Sequence, residues 1–163
     1  MSAATEALCN HPVFRFFRVI SDIPRPSKHE EQISQFLFRW ARERGLEAEQ
    51  DEKLNILIRK PATPGYEGAP GIMLQAHMDM VCEKAPEAEH DFMKDPIHWE
   101  LDGDILSTGR RTTLGADDGI GVAMAMAVLD DDTLSHPALE VLFTTAEEDD
   151  FSGAEHFDVS KMT

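Results

Sequence analysis

The chain has 163 residues, with 31 acidic against 15 lysine and arginine side chains and a formal net charge of −16. That excess repels the phosphates of nucleic acids and of anionic membranes and favours cations as partners. The length fits one domain with a sizeable core. No apolar run approaches the ~18 residues of a membrane span, and the opening residues lack a signal peptide's basic and apolar regions. Cys9 and Cys82 make no disulfide framework and read as reduced thiols, so the expected location is cytoplasmic.

In chain order, Val13, Phe16, Phe17 and Ile20 recur at helical spacing, and Pro24 and Pro26 end that first helix. Ser27 with Glu30 three residues on reads as a capping box opening a second helix, whose apolar face is Ile33, Leu37, Trp40 and Ala41 and which closes near Gly45. Residues 46–50 and 54–59 read as a pair of strands around Asp51, Glu52 and Lys53. A Pro/Gly-rich loop over 61–71 leads to a strand over 72–76, read as buried. The acidic, irregular stretch from Cys82 to Thr113 contains one hairpin over 97–106, turned at Asp102 and Gly103. His90 and His98 in that stretch read as surface or hydrogen-bonded residues rather than ligands. A helix over 122–129 follows, with Met124 and Met126 as adaptable core packing, then a solvated turn over Asp130 to Asp132 and a strand over 139–145.

Three acidic clusters fall at the ends of these elements. His77 and Asp79 sit two residues apart where a strand ends, so they share a face. That spacing suits a metal-binding imidazole whose other ring nitrogen is held by a carboxylate. Asp117 and Asp118 lie among glycines just ahead of the helix over 122–129, where a carboxylate meets the positive end of the helix dipole; a plain helix cap with a solvated neighbour is the competing reading. Glu147, Glu148, Asp149 and Asp150 follow the last strand directly, either as ligands at the sheet's carboxyl edge or as a charged loop. The alternation of strands and helices predicts a three-layer α/β fold, with helices on both faces of a mixed sheet and all three clusters at one edge.

These residues carry a resemblance. His77-Met-Asp79, the run from Thr112 to Asp117 with Gly119 and Gly121, and Glu147-Glu148 resemble the N-terminal half of the M20 metallopeptidases. The segments from Asn55 to Ala62 and from His90 to Pro96 resemble, more narrowly, the aminoacyl-histidine dipeptidase branch, also called cytosolic non-specific dipeptidase or peptidase D. The likeness runs from about Pro12 to about Gly153. Arg111, Asp118, and Asp149 to Phe151 depart from that branch's pattern and bear on loop geometry.

The resemblance implies a zinc-peptidase-like catalytic domain with a two-metal site, zinc by preference and Co2+ or Mn2+ as alternatives. By that resemblance His77 binds one metal and Asp79 orients it, Asp117 bridges both, Glu148 binds the other, and Glu147 is the general base. Residues 1–163 would then be the N-terminal part of the catalytic domain. Further ligands, a lid that supports dimerisation and the C-terminal part lie outside this chain, and the family expectation is a homodimer. The implied activity is hydrolysis of short peptides, Xaa-His dipeptides among them. Deacylation of an N-acyl amino acid and a non-catalytic, metal-binding or interaction fragment stand as the alternatives.

Overall fold

A computed structural model describes residues 3–162. A short helix α1 (Ala3–Leu8) precedes α2 (Pro12–Ser21) and α3 (Glu31–Glu43), and the strands β1 (Glu47–Gln50), β2 (Ile56–Lys60) and β3 (Ile72–His77) follow. The hairpin β4 (Glu100–Asp102) and β5 (Ile105–Ser107) leads to α4 (Ala116–Asp130), β6 (Leu139–Thr144), α5 (Ser152–His156) and a 3-10 turn over Val159–Lys161. The helix α2 starts with proline at its first turn, where no backbone donor is lost, and its buried positions Phe16, Phe17 and Ile20 are those the periodicity marks. The hairpin also forms where it is expected, and α1 has no counterpart in the sequence reading.

The main sheet has the order β1-β2-β6-β3. β1–β2 and β2–β6 are antiparallel, whereas β3–β6 is parallel, which makes the sheet mixed as expected. Strand alternation divides its two faces. Ile56, Ile58, Ala76, Val141 and Phe143 join one cluster with Phe17, Ile20, Ile33, Leu37, Val122 and Met126, so α2, α3 and α4 cover a single face. Phe16 and Trp40 lock α2 to α3 edge-to-face, with ring centroids 5.6 Å apart. On the other face Arg59 reaches Glu47, Glu49 and Glu140 and donates to the Lys161 carbonyl. The third layer is accordingly thin among the described residues, made of the short C-terminal elements.

Four local expectations are corrected. The capping box does not form: α3 begins at Glu31 with no side-chain cap, because the Ser27 hydroxyl and the Glu30 carboxylate are engaged elsewhere. β3 is an edge strand rather than a buried one, with Ile72 48% exposed and burial beginning only at Ala76. Apolar composition alone does not separate the two cases. Met126 is fully buried, but Met124 is 54% exposed on the far side of α4. Asp130 is not simply solvated, since it pairs with Arg15 and Arg44 and ties α4 to α2 and to the end of α3.

Candidate metal centre

The parallel register puts His77 opposite Thr144, so β3 and β6 run out of the sheet at the same level. The Met78 amide donates to the Thr144 carbonyl, which keeps the two exits together for one residue more. His77 and Asp79 leave one strand, and Glu147 and Glu148 leave the other. The third contributor is the irregular start of α4, where Gly115 takes φ +67° and Asp117 and Asp118, joined by a cis peptide, depart from helical angles. Asp118 performs the capping job, accepting from the Gly121 amide, which leaves the Asp117 carboxylate free to face His77. The cap of the competing reading is thus supplied by Asp118, while Asp117 faces His77.

His77 stands at the middle of the cluster. Its Nε2 lies 3.1 Å from Asp117 Oδ1 and 3.7 Å from Glu147 Oε2. Its Nδ1 lies 3.3 Å from Asp79 Oδ1, near enough for a charge contact but without the alignment of a regular hydrogen bond. Ligand atoms of His77, Glu147 and Glu148 all fall within 4.8 Å of one another. All five expected site residues are thus gathered at one place, and geometry alone does not divide them into ligands and base.

Electrostatics follow from this crowding. Burial by itself would lower the His77 pKa, yet the carboxylates of Asp79 and Asp117 outweigh it and push it up to about 9. The imidazole is therefore protonated at neutral pH while it faces only carboxylates, and a cation that binds Nε2 must displace that proton. Asp79, fully buried, moves the opposite way: burial would raise its pKa, but contact with His77, the Ser27 hydroxyl and the amides of Glu148 and Glu147 hold it below the usual carboxylate range. Glu148 is raised, by burial first and by the neighbouring carboxylates of Glu147, Asp117 and Asp79. An excess of carboxylates around one imidazole is a donor set suited to a divalent cation that accepts both nitrogen and oxygen.

The sequence reading missed the residues that hold this cluster in place. Ser27 Oγ donates to Asp79 Oδ2 at 2.7 Å. Glu30 accepts from the Ala146 amide at 2.9 Å and from the Lys28 amide at 3.0 Å, which anchors the turn leading into Glu147. Their spacing is itself a signal, but it is also the spacing of a helix cap. The departures from the family pattern are accommodated: Lys28 pairs with Asp149 and Asp150, and Arg111 pairs with Glu100, away from the centre. His90 packs against Phe92, and its Nε2 is buried without a hydrogen-bond partner among the described residues. A cavity of about 580 Å3 lies between the start of α2 and the end of α4, away from this cluster.

Strand order, register and this acidic exit define the class: the fold is that of an M20 metallopeptidase catalytic domain. The chain is 49% identical, over 147 residues, to the cytosol non-specific dipeptidase of Escherichia coli K12, a match that covers 90% of this chain and 30% of that protein. It superposes on the crystal structure of an aminoacylhistidine dipeptidase from Vibrio alginolyticus with a TM-score of 0.87 and 45% identity, again over 90% of this chain and 30% of the other. A dinuclear metal-binding M20 peptidase from Bacillus subtilis shares the fold at 18% identity and a TM-score of 0.52, over 90% of this chain and 37% of that one. No protein-family model matches the chain. The chain is thus similar to the N-terminal portion of the aminoacyl-histidine dipeptidases of the M20 metallopeptidases, and it spans about 30% of the length of these relatives. No helix among the described residues is long and apolar enough to cross a membrane.

Proposed function

We propose that residues 1–163 supply the N-terminal part of the catalytic domain of a cytoplasmic, metal-dependent dipeptidase that cleaves short peptides, Xaa-His dipeptides among them. The observation that carries this reading is the convergence of His77, Asp117, Glu147 and Glu148 at the shared exit of β3 and β6, with Asp79 buried behind His77. His77 would hold one metal and Glu148 the other, with Asp117 between them. A pair of divalent ions held there, zinc by preference, would supply a water of lowered pKa and polarisation of the scissile carbonyl. The rest falls to the chain's own groups. Asp79 holds the imidazole in one orientation through Nδ1, so that Nε2 points at the centre. Glu147, 35% exposed at the mouth of the site, takes a proton from the attacking water and passes it to the leaving amine. By this reading the remaining ligands, a lid and a dimer contact would come from sequence beyond the 30% of the relatives' length that this chain spans.

A chimaera in which this chain replaces the matching segment of the Escherichia coli dipeptidase tests the proposal. It is expected to hydrolyse an Xaa-His dipeptide, and Glu147→Gln is expected to cost about 10²- to 10⁴-fold in kcat with zinc content unchanged. Unchanged turnover in Glu147→Gln would remove Glu147 from its role. A chimaera that cleaves N-acyl amino acids in preference to dipeptides would replace the substrate assignment.

A further inference from the structure

The connection between α2 and α3 contains a charged side chain that the chemistry above does not use. Arg25 is only 2% exposed, the largest of the fully buried side chains. Among the described residues its guanidinium hydrogen-bonds to three backbone carbonyls and to no carboxylate. Nη1 donates to the Met78 carbonyl at 3.1 Å and to the Asp79 carbonyl at 3.0 Å, and Nη2 donates to the Gly115 carbonyl. The first two belong to the turn that presents His77 and Asp79. The third opens the turn that presents Asp117.

Burying a guanidinium is expensive, and carbonyls at strand and helix ends could be met by water or by neutral donors. Arg25 offers what those do not, a rigid planar fork of five donors that fixes the relative position of everything it binds. Its own backbone is fixed too: Pro24 and Pro26 flank it, its carbonyl accepts from the Met80 amide at 3.2 Å, and Pro26 bridges Met80 in parallel fashion. The packing leaves it no slack, since a Cβ at Gly119 would stand 2.6 Å from Nη2 and one at Gly115 would stand 2.5 Å from it. The charge also lies beside Asp79 and Asp118, where a wholly acidic surround would otherwise repel itself.

We infer that Arg25 is a positioning residue that sets the separation of the His77–Asp79 turn from the Asp117 turn, and so fixes the geometry in which a divalent cation is held. The inference rests on the metal reading above. Asp117 is otherwise poorly restrained, with its side chain 85% exposed and its contact with His77 its tie to the β3 exit. Neighbouring side chains share in holding the centre. Ser27 holds the Asp79 carboxylate, Glu30 holds the turn before Glu147, and Arg25 joins the two metal-facing turns to each other.

Arg25→Lys keeps the charge and loses the fork. Placed in the chimaera with the Escherichia coli dipeptidase, which supplies the ligands outside this chain, it is to be compared with the unsubstituted chimaera by Co2+ titration, reading both affinity and the visible absorption of the bound ion, and by hydrogen exchange of the metal-free proteins. The expected result is about 10- to 100-fold weaker Co2+ binding with an altered absorption band, and faster exchange confined to residues 78–80 and 115–119. Equal affinity and an unchanged band in Arg25→Lys would overturn the inference while leaving the metal reading intact. An unsubstituted chimaera that binds no Co2+ would overturn both. If Arg25→Lys does not fold, Gly119→Ala, whose Cβ would meet the guanidinium at 2.6 Å and the Phe17 ring at 2.9 Å, decides by the same readings: weaker binding with an altered band and faster exchange at residues 78–80 as well as 115–119 supports the inference, and wild-type binding or exchange unchanged at 78–80 overturns it.

Discussion

Asp79→Asn is expected to destabilise the chain by about 3 kcal/mol, although the two side chains have nearly the same shape. Asp79 is completely buried, and donors reach both of its carboxylate oxygens. Oδ1 accepts from the Glu147 amide and faces His77, while Oδ2 accepts from the Glu148 amide and the Ser27 hydroxyl. An asparagine has one acceptor oxygen, so whichever way its amide is turned, an NH2 group meets a backbone N–H. That N–H is fixed by the β6 exit and cannot rotate away. The variant also loses the negative charge that keeps His77 in place, so the centre and the fold weaken together. Urea unfolding followed by circular dichroism measures the effect, and a midpoint equal to that of the wild-type chain would contradict it.

Gly153→Ala is expected to cost about 2–3 kcal/mol, as an added methyl forced into a filled space. A Cβ at this position would lie 2.2 Å from the Thr145 carbonyl oxygen, 2.6 Å from its Oγ1 and 2.7 Å from its amide nitrogen. Most of the obstruction is backbone, and it is tied down. Asn55 accepts from the Thr145 amide and donates to the Gly153 carbonyl, and the Thr145 hydroxyl donates to the Lys53 carbonyl. Since residues 147 and 148 lie between the two contact points, relief of the clash has to displace the acidic turn. Gly68→Ala is the control, because nothing lies within 4 Å of a Cβ there. Thermal unfolding should show a lowered Tm for Gly153→Ala alone; equal Tm values for the two variants would contradict the packing described.

The elements that build the site are legible because each bears a strong local pattern. Period-3.6 apolar spacing marks α2 and α3, and the run from Leu139 to Thr144 marks β6, whose residues are all buried. The clustering of His77, Asp79, Asp117, Glu147 and Glu148 follows from their places at element ends, which register then brings to one edge. The failures share a different cause. Ser27 and Glu30 have the spacing of a helix cap, but tertiary partners more than 50 residues away take them instead. Met124 and Met126 are alike in composition and two positions apart on a helix, so they face different ways. The edge position of β3 depends on strand order, and the role of Arg25 depends on carbonyls at Met78, Asp79 and Gly115 that no side-chain pattern records.

The most direct test of the metal centre is the zinc bound per chain after exhaustive dialysis, measured by inductively coupled plasma mass spectrometry near pH 8 on the chimaera with the Escherichia coli dipeptidase, which supplies the ligands outside residues 1–163, and on its His77→Ala variant. The expected result is about two zinc ions in the chimaera and clearly fewer in the variant. A chimaera that retains no zinc, or a His77→Ala variant that retains as much, would contradict the assignment of His77, Asp117, Glu147 and Glu148 to a metal centre.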